Sequence, residues 1–441
     1  MKTLLAYIIL LSLAWQIHAQ KQQENWMQSA VLWKSYQQRA EQLLEKDHLH
    51  DKEQFLSSNQ ASHLLNYHPL SNSINIKEEI ADVSQMTLFV VYWNQDTTQE
   101  QLLWSIADQE KDFLLSTTDR LADLSKYQFL NYLDQPKSLP QIQSYFQHEK
   151  EMAAGVLKFG GQPMNASIPV ENFKGSIAEI ILFRQVLSPL KRQQIQTYLA
   201  LKYGISLSED YISGNEIPLK EMKNSDYTYR IAGIAREEVF ELHQKQARSS
   251  TAELSLSIGL NKIEAENTLN SSELIESTYL IWSDNNRSLQ SKQRQILEIP
   301  SLERLWEMSV IGEGNTVATE LQIDLSKVEL DKDQSLYLVI YEDGKKQQRR
   351  YYKAEEINQK GVATFRNIQW DSDQSGKDYF SFASGKDLIP NIKIQFPECE
   401  NNQAGDLELA AIGGQAPYKF ELRDESGKLI GKWKLESEEE S

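Results

Sequence analysis

Between Phe173 and Leu207 the chain changes its hydrophobic period once, and sharply. Ile177 to Phe183 is a β-favouring apolar run, stopped by the polar step Arg184-Gln185. Ser188 then offers an N-cap oxygen, Pro189 suits the first helical position, and Gly204 stands where a left-handed C-terminal residue is wanted. The spacing predicts a strand over 177–183 and a helix over 189–203, about 22 Å long. A capped helix at the end of a β-rich stretch restricts the fold to layered sheets with a helix packed on the sandwich edge.

The rest of the chain agrees with that frame. Met86 to Trp93 is apolar on both faces, as a central strand would be, and Leu102–Ile106, Phe113–Leu115 and Val156–Phe159 continue the set until Gly160-Gly161-Gln162-Pro163 breaks it. A polar connector covers 205–227. A second β-region follows with strands expected at Tyr229–Ala235, Leu254–Leu260, Tyr279–Trp282, Glu320–Leu325, Leu336–Tyr341, Val362–Ile368 and Tyr379–Ala383. Leu321, Ile323 and Leu325 alternate with Glu320, Gln322 and Asp324, which predicts one buried and one wet face. Before residue 61 the reading stays open. Trp26, Ala30, Trp33, Ala40 and Leu44 fall near one helical face, while a short strand near Val31 running into a helix is the expectation carried forward.

The segment 173–207 closely resembles the end of the laminin-G-like, concanavalin-type jelly rolls of secreted Bacteroidetes proteins, where a G-x-I-A-E strand runs into LS-x-x-x-R-x-x-I-x-x-Y-L-A-x-K-Y-G-I. The block after it resembles the uncharacterised domain that follows such jelly rolls, through Ile231-Ala-Gly-Ile-Ala-Arg-Glu237, Leu254-Ser-Leu-Ser-Ile-Gly-Leu260, Leu280-Ile-Trp-Ser-Asp-Asn-Asn286 and Leu336-Tyr-Leu-Val-Ile-Tyr-Glu-Asp343. Gly413-Gly-Gln-Ala-Pro-Tyr-Lys-Phe420 is similar to the start of an immunoglobulin-like repeat of gliding-motility (SprB-like) adhesins. The resemblances imply a mainly β protein: a jelly roll with its closing helix over 20–204, a linker over 205–227, a second β-sandwich over 228–386 and a partial immunoglobulin-like repeat over 387–441. They imply a surface-type binding scaffold and name no ligand.

Residues 1–19 read as a secretory signal peptide, with Lys2 as the positive region, Leu4–Trp15 as a short apolar core and Ile17-His18-Ala19 as the cleavage site. The apolar stretch is shorter than the roughly 20 residues a bilayer span needs, so the chain is not expected to cross a membrane. A net charge of −17 argues against nucleic acid and anionic membranes as general partners. The single cysteine, Cys399, rules out an internal disulfide, so stability must come from packed sheets.

Few patterns in the sequence carry chemistry. In Asp47-His48-Leu49-His50-Asp51 the two histidines share a face only in a strand; on a helix they point about 200° apart, and the flanks are helix-like. Asp371-Ser-Asp373-Gln-Ser375-Gly376 matches the first half of a calcium loop, but Phe382 stands where the twelfth-position Glu belongs, and a hairpin turn explains the same residues. Ser283-Asp284-Asn285-Asn286 reads as a turn. Glu179 is placed on the face of Ile177, Ile181 and Phe183, where a buried acid needs hydrogen-bond donors. Trp93, Trp282 and Trp306 read as core, and Trp104 and Trp370 as exposed strand ends. Lys345–Lys353 mixes bases and tyrosines like a nucleic-acid patch but follows a turn between strands, so a solvated hairpin is expected. No strand presents two inward acids as glycosidase chemistry would need.

The expectation is therefore a secreted or cell-surface, non-enzymatic protein of adhesion or binding. Its partner would be an extracellular glycan or a surface protein, with a link to gliding or type IX secretion implied by resemblance alone. No cofactor is required, calcium being the ion the 371–376 loop would take. A concanavalin-like glycoside hydrolase or polysaccharide lyase, and a structural spacer, are the alternatives.

Overall fold

The structure, a computed structural model, describes residues 26–35, 65–66, 74–80, 85–94, 96–107, 112–123, 128–131, 139–148, 155–160, 170–249, 256–265, 267–292, 300–328, 334–342, 349–385, 389–395, 406–412, 418–424 and 428–435. The protein is mainly β, with several antiparallel sheets in sandwich-like layers. It divides into two compact units. The first holds the described residues up to Arg192 together with Glu238–Glu241, and the second holds Gln193–Glu237 and the described residues from Leu242 onward.

In the first unit the strands are β1 (Leu32–Ser35), β2 (Leu65–Asn66), β3 (Ile74–Ile80), β4 (Gln85–Asn94), β5 (Gln101–Ala107), β6 (Asp112–Thr117), β7 (Arg120–Asp123), β8 (Gln128–Asn131), β9 (Gln141–His148), β10 (Gly155–Phe159), β11 (Glu171–Asn172) and β12 (Gly175–Phe183). One sheet runs β1-β12-β4-β9 with β2 also on β12, and the other runs β3-β10-β5-β6-β7-β8. Every pair is antiparallel except β11, which lies parallel to β5. Leu88, Val90 and Tyr92 of β4 meet Leu103, Trp104 and Ile106 of β5 and Leu157 and Phe159 of β10 in one core. Each such side chain contributes about 1.5–3 kcal/mol when fully buried. The strand expected near Val31 is β1; its continuation as a helix lies outside the described residues.

The helix α1 (Pro189–Tyr203) has the predicted bounds. Lys191 N–H donates to Ser188 Oγ at 3.3 Å, Gly204 takes φ +64°, and Ile205 N–H donates to Ala200 O at 2.9 Å, closing the C-terminus as a Schellman motif does. Its first residues, up to Arg192, fall in the first unit. From Gln193 onward the helix belongs to the second unit, and a Cβ on Gly233 would lie only 3.0 Å from Leu201 Cδ2. Gln244 Nε2 donates to both Leu201 O and Gly233 O, tying helix to sheet. The segment expected as a polar connector is also folded. It forms the hairpin β13 (Tyr211–Ile212) and β14 (Pro218–Lys220), with Tyr211 fully buried and Gln194 Nε2 donating to Ser213 O and Gly214 O.

The second sandwich is built from β15 (Tyr229–Glu237), β16 (Leu242–Gln244), β17 (Gln246–Arg248), β18 (Leu256–Leu260), β19 (Thr278–Asp284), β20 (Ser291–Lys292), β21 (Ser301–Leu302), β22 (Trp306–Ile311), β23 (Thr319–Asp324), β24 (Ser335–Glu342), β25 (Arg349–Lys353), β26 (Glu356–Ile357), β27 (Val362–Ile368) and β28 (Lys377–Gly385). A nine-stranded sheet, β16-β15-β19-β22-β28-β21-β20 with β24 on β28 and β25 on β24, faces the sheet β17-β18-β23-β27-β26. Ile234, Trp282, Met308, Phe380 and Leu338 from the first interdigitate with Ile258, Leu321, Ile323 and Phe365 from the second. The tail forms two hairpins, β29 (Ile389–Gln395) with β30 (Asp406–Ile412) and β31 (Tyr418–Arg423) with β32 (Leu429–Leu435). Leu409, Ala411 and Tyr418 form a small core of their own.

Candidate functional site

Several sequence candidates land elsewhere than expected. A β-bulge at Ala178 separates Glu179 from the face of Ile177: Ile177, Ile180 and Leu182 pair with Tyr92, Val90 and Leu88 toward the core, while Glu179 pairs with Val91 on the opposite face with Ile181 and Phe183. Glu179 is buried and engaged. Trp104 and Trp370, expected at exposed ends, are fully buried. Trp104 Nε1 donates to Gln143 Oε1 at 2.5 Å, joining the two sheets of the first sandwich, and Trp370 Nε1 donates to Thr319 Oγ1 at 2.8 Å. The polar face of β23 is only partly wet, because Glu320 is buried and accepts from Arg366 Nε at 2.9 Å.

The predicted turn at 283–286 starts two residues late. Ser283 and Asp284 end β19 inside the protein, and Asp284 takes both Nε and Nη2 of Arg230, with Arg304 Nε 3.9 Å away. At 371–376 the acidic oxygens are spent on the turn itself: Asp371 Oδ1 accepts from Gly376 N–H at 2.8 Å and Asp373 Oδ1 from Ser375 Oγ at 2.9 Å. Among the described residues no group of three or more His, Cys, Asp or Glu is arranged to hold a metal ion. Asp47–Asp51, Cys399 and the stretches 343–348 and 413–417 lie outside the described residues.

The second sandwich holds several buried acids, each with its own partner. Besides Asp284, Glu307 accepts from Lys220 Nζ at 2.8 Å and has Lys377 at 3.7 Å. Asp378 accepts from Arg350 Nη2 at 3.0 Å and from Asp371 N–H at 2.6 Å, and burial pushes its carboxyl up to about 6. Glu237 accepts from Gly214 N–H; burial lifts it to about 7, against that hydrogen bond and with Glu276 adding repulsion. These pairings hold elements together: β14 to β22, β25 to β28, and the β13–β14 turn to β15. A charge buried without such a partner would be strongly destabilising.

A different chemistry gathers on the outer face of the nine-stranded sheet. Alternation sends Leu338 and Ile340 inward, leaving Tyr337, Val339 and Tyr341 of β24 on the outer side. The register sets Tyr341 beside Tyr379 of β28 and beside Arg349 of β25, and Val339 beside Tyr351. Tyr227 adds a fourth ring, its centroid 5.2 Å from that of Tyr379. Arg349 Cζ stands 5.5 Å from the Tyr341 ring centroid, a cation–π contact. Tyr227, Tyr379, Tyr341 and Tyr351 are all partly exposed, above a floor of buried Tyr337, Val339 and Ala383. Exposed Lys353 and the half-exposed Lys377 border the rings. The expected solvated hairpin is thus split by face: Arg350 and Tyr352 of β25 turn inward, and Arg349, Tyr351 and Lys353 turn outward. Sequence alternation alone shows which residues leave the core. Cross-strand neighbours are what make the tyrosines a row.

Residues 191–374 match the family model described as "Domain of unknown function (DUF8202)". No curated protein matches the chain. Among solved structures, the binding domain of botulinum neurotoxin serotype D/C is similar at 9% identity and a TM-score of 0.23, covering 69% of this chain and 84% of that one. The same domain in complex with rat synaptotagmin II matches at 8% identity and a TM-score of 0.23, with the same coverage. Both are too distant to carry a conclusion. Among the described residues no helix is long and apolar enough to cross a membrane.

Proposed function

We propose that this chain is an exported, non-enzymatic recognition protein of the cell surface, whose second sandwich presents the outer tyrosine row to a glycan or to another surface protein. The observation that carries the reading is Tyr227, Tyr379, Tyr341 and Tyr351 standing partly exposed on one sheet face. Tyrosine offers a large, rigid contact area with a polar tip at low entropic cost, which is why it is enriched where proteins recognise partners. Because the rings project from paired strands, the platform is pre-organised and loses little freedom on binding.

Export is supported by Lys2, the apolar run Leu4–Trp15 and the Ile17-His18-Ala19 site. The laminin-G-like and adhesin resemblances support a role in attachment. The non-enzymatic reading is supported by the buried acids of the second sandwich, which are engaged with Arg, Lys or backbone N–H groups. The test is a glycan and surface-protein array probed with the secreted chain and with Tyr379→Ala. The expected result is a discrete set of ligands retained by the native chain and weakened in the variant. Turnover of a polysaccharide by the native chain, or array binding unaffected by Tyr379→Ala, overturns the proposal.

A further inference from the structure

The turn of the β13–β14 hairpin is fixed to the sheet by a carboxyl that water does not reach. Within the turn, Ile217 N–H donates to Ser213 Oγ at 2.9 Å and Glu216 N–H to Ser213 O at 3.0 Å, with Glu216 at φ +63°, so the turn holds its own shape. Its attachment is separate. Gly214 N–H donates to Oε1 of Glu237, a β15 residue only 2% exposed, and Gln194 Nε2 of α1 reaches Ser213 O at 2.8 Å and Gly214 O at 2.9 Å. At its far end the hairpin is anchored independently, by Lys220 on Glu307. From this arrangement we infer that the hairpin turn is a proton-controlled latch, closed on a protonated Glu237 and released when that carboxyl ionises.

The surroundings favour the neutral carboxyl. Glu276, from the loop before β19, adds repulsion even with Arg236 Nε 3.8 Å from it, and Tyr279 lies against Glu237 from β19. Arg236 is also engaged by His243, whose Nδ1 is 2.6 Å from its Nη1, and stands 4.0 Å from Glu273. The helix presents the uncharged Gln194, and the turn itself carries the solvent-exposed Glu216. Protonation loses the latch no hydrogen bond, because a neutral carboxyl keeps an oxygen for Gly214 N–H. Ionisation leaves a charge in a dry site beside a second carboxylate, and opening the turn returns it to water. Burial, with Glu276 adding to it, lifts the closed carboxyl to about 7 against an ordinary 4.5, so opening releases a proton between those values. Opening is therefore rarest in acid, increases as pH rises from 4.5 and levels off above 7. Burial and Arg236 hold His243 down at about 4, so it stays neutral through the upper part of that window. Asp378, at about 6, accepts from Asp371 N–H and Arg350, and its titration is read separately at Asp371.

The test is amide hydrogen exchange on the full chain, resolved to single residues and corrected for the intrinsic rate. Protection of Gly214 N–H is expected to fall at least about tenfold between about pH 5 and 7. Gly361 N–H, which donates to the backbone oxygen of Asn358 at 2.9 Å in another turn, should hold steady. Glu237→Gln keeps an acceptor and has no charge to gain, so its Gly214 protection should be flat with pH. If a thermal melt shows that variant unfolded, Glu276→Gln takes its place. It removes the neighbouring carboxylate, lowers Glu237 and should shrink the fall. Constant protection of Gly214 in the native chain, or an undiminished fall in the folded variant, overturns the inference. So does an equal fall at Gly361, because the opening is then global and the hairpin is no latch.

Discussion

Lys220 Nζ stands 2.8 Å from Glu307 Oε1, and both side chains are nearly excluded from water. Burial depresses the lysine, and the adjacent carboxylate offsets part of that effect. The pair ties the β14 hairpin to the centre of the nine-stranded sheet.

Removing one partner strands the other. Lys220→Met is expected to cost about 3–5 kcal/mol, eased toward the lower figure by Lys377 at 3.7 Å from Glu307 Oε2. Lys220→Met combined with Glu307→Leu should recover most of the loss. Urea midpoints of the three proteins check this, and a double variant no better than the single one would contradict it.

Glu237 yields a pH prediction. Its carboxyl lies at about 7 in the folded chain against an ordinary 4.5. Between those values the folded state holds more protons than the unfolded state, so this group's contribution to stability falls as pH rises from about 4.5 through 7. Glu237→Gln keeps an acceptor for Gly214 N–H and should flatten the decline. Asp378, raised to about 6, leaves a residual slope in the variant. Parallel melting curves for both proteins between about pH 5 and 8 would show that Glu237 does not titrate there.

Gly233 makes room for the helix. A Cβ there would meet Leu201 Cδ2 at 3.0 Å, Ile281 Cγ1 at 3.1 Å and Leu280 O at 3.2 Å. Gly233→Val is expected to cost about 1–3 kcal/mol by overpacking. Leu201→Ala in the same chain should cost less than it does alone, because it vacates the space the valine needs. Purely additive losses in a denaturation cycle would place the helix elsewhere.

Gln143 serves two donors at once, Trp104 Nε1 at 2.5 Å and Ser116 Oγ at 2.8 Å. Gln143→Leu leaves buried polar atoms without their acceptor and should cost about 1–3 kcal/mol. Trp104→Phe in the same background should recover part of it, read as a shift in the unfolding midpoint.

Local rules reached a good deal of this protein. Ser188, Pro189 and Gly204 set the bounds of α1 because capping and the left-handed residue act within one helical turn. The apolar run at Met86–Trp93 marked a central strand because burial on both faces leaves no alternation. Face assignments held only while the strand stayed regular. The bulge at Ala178 put Ile177 on the face opposite Glu179, Ile181 and Phe183, a one-residue event with no signature in composition. Asp284 read as a turn because its salient neighbours, Asn285 and Asn286, are turn residues. Its true partner, Arg230, lies on the adjoining strand β15.

The sequence by itself determined the class of fold, the most apolar strands and the helix ends, since these follow from side-chain period and backbone chemistry over a few residues. Only the tertiary structure decided which sheet the helix covers, which acids pair with which bases, and that Tyr227, Tyr379, Tyr341 and Tyr351 share a surface. Those relations join strands far apart in the chain, and the register that aligns them is a property of the assembled sheet.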